Sequence, residues 1–226
     1  LDQLLFLIEN PQMIDSNNYT EHPLLKKQLI SNSKDKYQTC SIFGLKQFRN
    51  IDQCFVERIL RGVTDFSIPS DINVFFNRTQ RILINGEPGS GKSYLVDFLA
   101  YFLTHFTNIF DVVIKIPLIE LKVDSNEYSD LWSAIIRYVS NDLAISYLSV
   151  SNFKALLKNN RVLLLLDGLD EVDFQYRKYI LRTFNNLLRE FSKLSITVTT
   201  RKVDSLNWRG FEQFVLTGLS YEDSKE

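Results

Sequence analysis

The part of the sequence best suited to chemistry is a glycine-rich segment with the spacing G-x-x-x-x-G-K-S. It reads Gly86-Glu87-Pro88-Gly89-Ser90-Gly91-Lys92-Ser93. Glycines let the backbone curl so that several N–H groups point inward at one anion. Lys92 would reach the β- and γ-phosphates of a nucleotide, and the Ser93 hydroxyl would ligate Mg²⁺. The spacing predicts a loop that binds a nucleoside triphosphate, and we include Tyr94, the next residue, among its contacts.

The flanking segments favour this interpretation over a glycine-rich turn that holds Lys and Ser by chance. A short apolar strand, Arg81–Asn85, is predicted to enter the loop, and an apolar helix, Lys92–Phe106, is predicted to leave it. The positive end of that helix would face the same phosphates. Strand, loop and helix together are the context that a phosphate-binding loop requires.

A second candidate lies where the most apolar segment of the chain, residues 161–167, ends. A strand this apolar must be buried on both faces, so its carboxyl end emerges at the edge of the sheet where ligands bind. Asp167 stands there and would hold Mg²⁺ through a water. Asp170 and Glu171 follow within one turn, and a carboxylate there can deprotonate the water that attacks the γ-phosphate. The alternative is a solvated acidic turn, which the phosphate loop upstream disfavours.

The third candidate is Arg201, which follows the β-branched strand predicted at residues 195–200. An arginine at this edge would either contact the γ-phosphate and report its presence, or cap the strand at the surface. The pattern alone leaves both interpretations open. The predicted catalytic set is Lys92, Asp170, Glu171 and Arg201.

These residues need a sheet that carries them to one edge, and the order of the predicted elements supplies it. Five strands are predicted at Arg81–Asn85, Val112–Pro117, 161–167, 195–200 and 214–217. Helices are predicted between them at Lys92–Phe106, 131–143, 151–158 and 176–191. Such alternation is typical of an α/β fold whose parallel sheet is covered by helices on both faces. We therefore predict a five-stranded parallel sheet.

The N-terminal part of the chain is less regular and predicts a small, mostly helical segment over residues 1–50. Residues 1–9 have the pattern of a short amphipathic helix, and residues 10–38 that of mixed helix and loop. Apolar residues recur at helical spacing over 45–60, and a short helix is predicted at 72–77.

Composition and charge exclude several other classes of protein. The chain has 226 residues, of which 45% are hydrophobic and 23% charged, and its net charge of −1 gives no general attraction to nucleic acid or an anionic membrane. Cys40 and Cys54 are too few and too far apart for a zinc site or a disulfide framework. Purely apolar runs such as residues 162–166 are far too short to span a bilayer. We expect a cytoplasmic protein without membrane or direct nucleic-acid partners.

Taken together, these motifs resemble the NACHT domain, a branch of the STAND class of signalling P-loop NTPases. The phosphate loop fits that family at every position. The segment Asp167-Gly168-Leu169-Asp170-Glu171 fits its pattern of a small residue after the magnesium aspartate and then further acidic residues. Thr200-Arg201 resembles the sensor arginine of the family. Residues 116–121 resemble its second strand and turn, although Ile119 stands where the family often has Arg.

The resemblance covers about residues 51–226, which we take as the NTPase domain. Residues 55–61 resemble the segment that helps to enclose the base in relatives, which would place Val63 or its neighbours near the adenine. Residues 216–223 resemble the entry to a helical domain. We therefore expect the chain to be truncated before the helical and winged-helix regions of the family.

The resemblance implies a switch that binds ATP or ADP with Mg²⁺, hydrolyses ATP slowly and self-assembles. A trigger ligand sensed by regions outside this chain would permit nucleotide exchange, in innate immunity, antiviral defence or related signalling. ATP rather than GTP is the family expectation. Two other functions stay open. One is an AAA+-type motor or loader on nucleic acid, which the near-neutral charge disfavours, and the other is a non-hydrolysing scaffold, which the Asp170-Glu171 pair disfavours.

Overall fold

The computed structural model describes residues 23–41, 48–51, 55–121, 131–146, 148–201, 208 and 210–218. The helices in these ranges are α1 (Leu25–Tyr37), α2 (Ile72–Arg78), α3 (Lys92–Phe106), α4 (Leu131–Asp142), α5 (Val150–Asn159) and α6 (Phe174–Glu190). The strands are β1 (Thr39–Ser41), β2 (Phe48–Asn50), β3 (Arg58–Arg61), β4 (Phe66–Ile68), β5 (Arg81–Asn85), β6 (Val112–Pro117), β7 (Val162–Asp167), β8 (Leu194–Thr200) and β9 (Glu212–Leu216). Among these helices, none is both long and apolar enough to cross a lipid bilayer. The helix predicted at residues 1–9 lies outside the described residues.

Seven strands form one mixed sheet in the order β4-β3-β9-β5-β8-β7-β6. From β9 to β6 every pairing is parallel, so the five strands predicted from the sequence are present. β3 and β4 extend the sheet beyond β9 as antiparallel strands. The α/β fold is therefore confirmed, but the prediction of a five-stranded parallel sheet is wrong, because the sheet has seven strands and mixed pairing.

The added strands lie partly where a helix was predicted. The helical spacing over residues 45–60 is misleading, because the described part of that range contains β2 and the start of β3. In β3 burial alternates: Arg58 and Leu60 are buried, and Ile59 and Arg61 are exposed. This period of two is obscured by the apolar residues that precede it. The strand is held by partners in β4 and β9 that come later in the chain.

The core is centred on β7 and β8. β7 is buried from Val162 to Leu166, and β8 is buried at every position. Strands without an exposed face need helices on both sides of the sheet. α3 and α4 contact β6, and α6 contacts β8. This packing makes the sheet a rigid support for the loops at its carboxyl edge.

Helix α1 joins the N-terminal segment to this core. Leu25 and Leu29 are fully buried, and α1 contacts both α3 and β6. The Asn32 side-chain amide donates to the Leu143 carbonyl at 2.7 Å, and the backbone N–H of Lys115 donates to the Tyr37 hydroxyl at 2.9 Å. The helix falls in the region predicted as mixed helix and loop. The domain boundary at residue 50 stays a prediction.

Candidate functional site

Three separate segments meet at the carboxyl edge of the sheet. β8 lies between β5 and β7, and all three strands are parallel. The glycine loop after β5, the acidic turn after β7 and Arg201 after β8 therefore emerge side by side. They form a pocket of about 250 Å³. It is lined by Pro88, Gly89, Gly91, Lys92, Ser93, Tyr94, Asp167, Gly168, Asp170, Glu171 and Arg201. All the predicted catalytic and metal-binding residues thus border one cavity.

The backbone of the loop is curled by two glycines in the left-handed region, Gly89 with φ +76° and Gly91 with φ +85°. Residues with a Cβ rarely adopt this conformation. The loop begins at Gly86, whose N–H donates to the Thr200 carbonyl at 3.2 Å. A Cβ at Gly86 would lie 2.5 Å from Ser90 Oγ. The glycine spacing therefore produces the concave backbone that an anion-binding loop needs.

Lys92 begins α3 and turns its ammonium back over the loop. Nζ donates to the Gly86 carbonyl at 2.7 Å and to the Glu87 carbonyl at 3.0 Å. Partial burial lowers the pKa of Lys92 below its ordinary value, and the nearby Asp170 carboxylate partly opposes this shift. The positive end of the α3 dipole lies at the same place. An anion in the pocket would meet both the lysine and the helix end.

Ser93 and Asp167, the predicted metal ligands, both line the pocket. The described part of the chain holds no group of three or more His, Cys, Asp or Glu side chains that could bind a metal ion together. Mg²⁺ usually takes one or two protein oxygens and completes its shell with phosphates and waters. The pair therefore fits a Mg²⁺ ion that arrives with a nucleotide.

Asp167 is oriented by a buried threonine that sequence reasoning missed. The Thr199 hydroxyl donates to Asp167 Oδ1 and accepts from the Gly168 backbone N–H at 3.0 Å. Thr199 is fully buried in β8, so solvent does not compete for its hydroxyl. The available signal is its place in the sequence: it is a polar residue next to the end of an apolar strand, two positions before Arg201. The threonine holds the carboxylate in one orientation at the pocket wall.

The acidic turn depends on Gly168. Its φ is +76°, and a Cβ there would lie 3.0 Å from Glu171 Oε2. The Glu171 N–H donates to the Gly168 carbonyl at 3.0 Å, which closes the 3₁₀ turn Leu169–Glu171. Glu171 itself is exposed at the pocket. Its carboxylate is therefore open to water.

Asp170 has two arginine partners. Arg201 contacts its carboxylate twice, from the backbone N–H to Oδ1 and from Nε to Oδ2, both at 2.9 Å. Arg177 on α6 donates to the Asp170 carbonyl at 2.6 Å and to the Val172 carbonyl at 2.7 Å. The Asp170 side chain is only 12% exposed, whereas that of Arg201 is 56% exposed. Sequence reasoning placed Asp170 and Arg201 at the site as separate groups, and it missed Arg177.

Arg58 is a further residue that sequence reasoning did not single out. Its side chain lies next to the glycine loop, and Nη2 donates to the Ser90 carbonyl at 2.6 Å. The residue is only 5% exposed. Nothing local in the sequence signals this burial, because β3 is placed by its pairing with β4 and β9, which come later in the chain.

The same pairing determines where Val63 lies. β3 runs antiparallel to β9, with Leu60 opposite Leu216 and Arg61 opposite Val215. The start of β3 is therefore at the carboxyl edge of the parallel strands, and its end is at the other edge. Val63 follows that end and is 93% exposed. The structure therefore places Val63 away from the pocket, in contrast to the prediction that it or its neighbours lie near the adenine.

The chain has a parallel α/β core, with a curled glycine loop after one strand and an acidic turn after another. These features define it as a P-loop NTPase. Within that class, the family model described as the NACHT domain matches residues 80–226. The chain belongs to the NACHT family. The match begins just before β5 and includes every residue that lines the pocket.

One solved structure, described as the structure of C. elegans PCH-2, is similar to this chain with a TM-score of 0.38 and 17% sequence identity. The similarity covers 67% of this chain and 39% of that chain. No curated protein matches the chain at a significant level.

Proposed function

We propose that the chain is a NACHT-type signalling module that binds Mg-ATP and Mg-ADP, hydrolyses ATP slowly and uses the bound nucleotide to control self-assembly. The observation that carries the proposal is the convergence of Lys92, Asp167, Glu171 and Arg201 on one pocket beside the glycine loop. Cations there suit phosphates, and carboxylates suit a metal ion and the activation of water. Membership of the NACHT family favours a cytoplasmic role in immunity, antiviral defence or related signalling.

Binding would use the loop and the start of α3. The N–H groups of the loop and of the first helical turn would surround the phosphates. Lys92 would exchange its bonds to the Gly86 and Glu87 carbonyls for bonds to the β- and γ-phosphates. Because burial lowers the pKa of Lys92, the negative phosphates would raise that pKa again and favour the charged lysine. Tyr94 lines the same pocket, and its ring stacks on Phe55 with 5.9 Å between the ring centroids.

Hydrolysis needs a base for the attacking water, and Glu171 is the carboxylate best placed to serve. It is exposed at the pocket, whereas the Asp170 carboxylate is held by Arg201. Glu171 would accept a proton from water as the water oxygen bonds to the γ-phosphorus and the bond to the leaving ADP oxygen breaks. Mg²⁺, when bound, would neutralise charge on the phosphates. Asp170 would act on Arg201 rather than on water.

Switching requires ATP and ADP to stabilise different states of the chain. Arg201 is the group whose partner would differ, because Asp170 and a γ-phosphate compete for its guanidinium. With ADP the guanidinium would stay on Asp170, and with ATP it would turn to the γ-phosphate. This exchange would remove the side-chain contact between Arg201 and the acidic turn Leu169–Glu171, while the backbone contact from Arg201 to Asp170 could remain. A trigger ligand sensed by regions outside this chain would select the nucleotide.

Isothermal titration calorimetry with Mg-ATP and Mg-ADP tests the binding. Lys92→Ala removes the ammonium from the loop, and we expect the affinity for Mg-ATP to fall about 10-fold or more, the scale of a lost charged hydrogen bond. The matched control is Lys158→Ala, an exposed lysine in the last turn of α5, which should bind like the wild type. Equal affinity of wild type and Lys92→Ala would overturn the proposal.

Light scattering tests the self-assembly. The molar mass of the wild type is measured with a non-hydrolysable ATP analogue and with ADP, and we expect larger species only with the analogue. Arg201→Gln should make the two nucleotides equivalent, because the proposed reader of the γ-phosphate is gone. A wild type with the same mass in both nucleotides would remove self-assembly from the proposal.

A further inference from the structure

Arg58 in β3 is a buried cation that touches two distant parts of the chain. Nη2 donates to the Ser90 carbonyl in the glycine loop at 2.6 Å and to the Thr217 carbonyl, just after β9, at 2.5 Å. The residue is 5% exposed. Hydrogen bonds from a charged donor in a buried place are stronger than neutral ones. One guanidinium therefore bridges the loop and the end of a strand.

The loop side of this bridge is closely packed. Gly91 follows Ser90 and lines the pocket, and a Cβ at Gly91 would lie 3.2 Å from Arg58 Nη1. The peptide between Ser90 and Gly91 is planar, and in a trans peptide the C=O and N–H point in opposite directions. Since Arg58 holds the Ser90 carbonyl, the Gly91 N–H is turned away from the arginine. Arg58 thus sets the direction of one of the donors in the loop.

The strand side of the bridge is equally defined. The backbone N–H of Thr217 donates to the Ile59 carbonyl at 3.4 Å, and its hydroxyl donates to the same carbonyl at 3.3 Å. Its own carbonyl accepts from Arg58. Two consecutive residues of β3 therefore hold the first residue after β9. A displacement of the Arg58 side chain would therefore break or move its hydrogen bond to the Thr217 carbonyl.

We propose that Arg58 is a positioning residue that couples the glycine loop to the segment leaving β9. This inference rests on the proposed nucleotide site and adds a route from the phosphates to residues that do not line the pocket. A phosphate that accepts from the Gly91 N–H polarises the peptide and strengthens the bond from Arg58 to the Ser90 carbonyl. A firmly held guanidinium then holds the Thr217 carbonyl, so that nucleotide binding orders residues 216–218.

Hydrogen–deuterium exchange read by mass spectrometry tests this coupling. Peptides covering residues 86–93 and 214–218 are followed without nucleotide and with saturating Mg-ADP. In the wild type we expect the nucleotide to slow exchange in both peptides by about 5-fold or more, because binding closes local opening. In Arg58→Gln, whose shorter side chain cannot reach both carbonyls, peptide 86–93 should still respond and peptide 214–218 should lose its response.

The matched control is Arg61→Gln, which removes the same charge from an exposed position of the same strand. It should keep both responses. A merely structural role for Arg58 would raise exchange at 214–218 equally with and without nucleotide and leave the nucleotide-dependent difference intact. That result would overturn the proposal. If Arg58→Gln does not fold, Arg58→Lys replaces it. The lysine ammonium keeps the charge but lacks the planar fork that reaches two carbonyls. A full wild-type response of peptide 214–218 in Arg58→Lys would overturn the proposal.

The outcome for the wild type separates this inference from the proposed function. A wild type that fails to bind Mg-ADP in calorimetry contradicts the nucleotide site itself. A wild type that binds Mg-ADP and shows protection of 86–93 but none of 214–218 contradicts only the coupling through Arg58.

Discussion

Arg201 contacts Asp170 at two points, from its backbone N–H and from its guanidinium, and both contacts are 2.9 Å long. The backbone contact ties the end of β8 to the acidic turn. The guanidinium contact keeps the cation on a carboxylate instead of leaving it to project into the pocket. A γ-phosphate that recruits Arg201 must therefore displace the side-chain contact, while the backbone contact can remain.

The first prediction concerns this competition. Asp170→Asn weakens the hold on the Arg201 guanidinium, and we expect Mg-ATP to gain about two- to five-fold in affinity relative to Mg-ADP, since a partly exposed ion pair contributes about 0.2–1 kcal/mol. The ratio of the two dissociation constants is measured by fluorescence titration. In an Arg201→Gln background, Asp170→Asn should leave this ratio unchanged. Additive effects of the two substitutions would contradict the competition.

The second prediction separates the two carboxylates of the turn. Glu171→Gln removes the proposed base, and we expect the single-turnover rate of ATP hydrolysis to fall about 100-fold or more with little change in affinity. Glu190→Gln, which changes an exposed carboxylate at the end of α6 that does not line the pocket, is the matched control and should keep the wild-type rate. A Glu171→Gln variant that hydrolyses ATP at the wild-type rate would rule out Glu171 as the base.

The third prediction compares two buried threonines of β8. Thr199→Val removes the hydroxyl that contacts Asp167 and leaves the Gly168 N–H without its acceptor. We expect a loss of about 1–3 kcal/mol in the free energy of unfolding, the cost of a buried unsatisfied group, and a weaker dependence of binding on Mg²⁺. The Thr197 hydroxyl is buried without a hydrogen-bond partner among the described residues. Thr197→Val should therefore be neutral or stabilising in urea denaturation. Equal losses in the two variants would contradict this.

The fourth prediction compares two glycines of the loop that both have positive φ. Gly89→Ala adds strain of about 1–2 kcal/mol, but its Cβ meets no atom within 4 Å. Gly91→Ala adds the same strain, and its Cβ also lies 3.2 Å from Arg58 Nη1. We expect Gly91→Ala to weaken nucleotide binding more than Gly89→Ala, as measured by calorimetry. The reverse order would show that packing against Arg58 does not shape the loop.

The fifth prediction is a pH dependence. Burial raises the pKa of Asp97 above its ordinary value, and the Lys115 ammonium beside it partly offsets the rise. A carboxyl with a higher pKa in the folded chain binds its proton more tightly there. The stability this contributes is fully present below the unfolded pKa and is lost as pH rises through the folded pKa.

We therefore expect Asp97→Asn to lack this loss. The unfolding free energy of the variant relative to the wild type should rise with pH above about 4, where an unperturbed Asp begins to ionise. Urea denaturation across that range gives the difference. Asp35→Asn, an exposed position in α1, serves as the control. A difference that is independent of pH would contradict the raised pKa of Asp97.

The part of the site that could be predicted is encoded locally. The glycine spacing from Gly86 to Gly91 depends on backbone conformation within a few residues, and the apolar run before Asp167 shows directly that β7 is buried. Parallel strands with polar residues at their carboxyl ends then bring these groups together. That reasoning needs no knowledge of which strands are neighbours.

The rest could not be predicted because it depends on pairing between distant segments. β3, which carries the buried Arg58, is placed by its pairing with β4 and β9, and Thr199 meets Asp167 because β7 and β8 are adjacent. The apolar residues over 45–60 match a helical period. The end of this range forms the strand β3 because it pairs with β4 and β9, which come later in the chain. The position of Val63 differs from the prediction for the same reason, because the direction of β3 depends on its antiparallel pairing with β9.

The strand order has a consequence for how the domain is made. β5, which carries the glycine loop, is the first strand of the parallel core to be synthesised, yet its neighbours β8 and β9 are the last. Until β8 and β9 leave the ribosome, Ile82 and Leu83 in β5 have no strand partners. Pairing between strands this far apart in the sequence is slow and leaves strand edges exposed to aggregation. A chain whose translation stops before residue 212 therefore leaves one edge of β5 without its parallel partner β9. The strand that carries the glycine loop is paired on that edge only after every residue that lines the pocket has been synthesised.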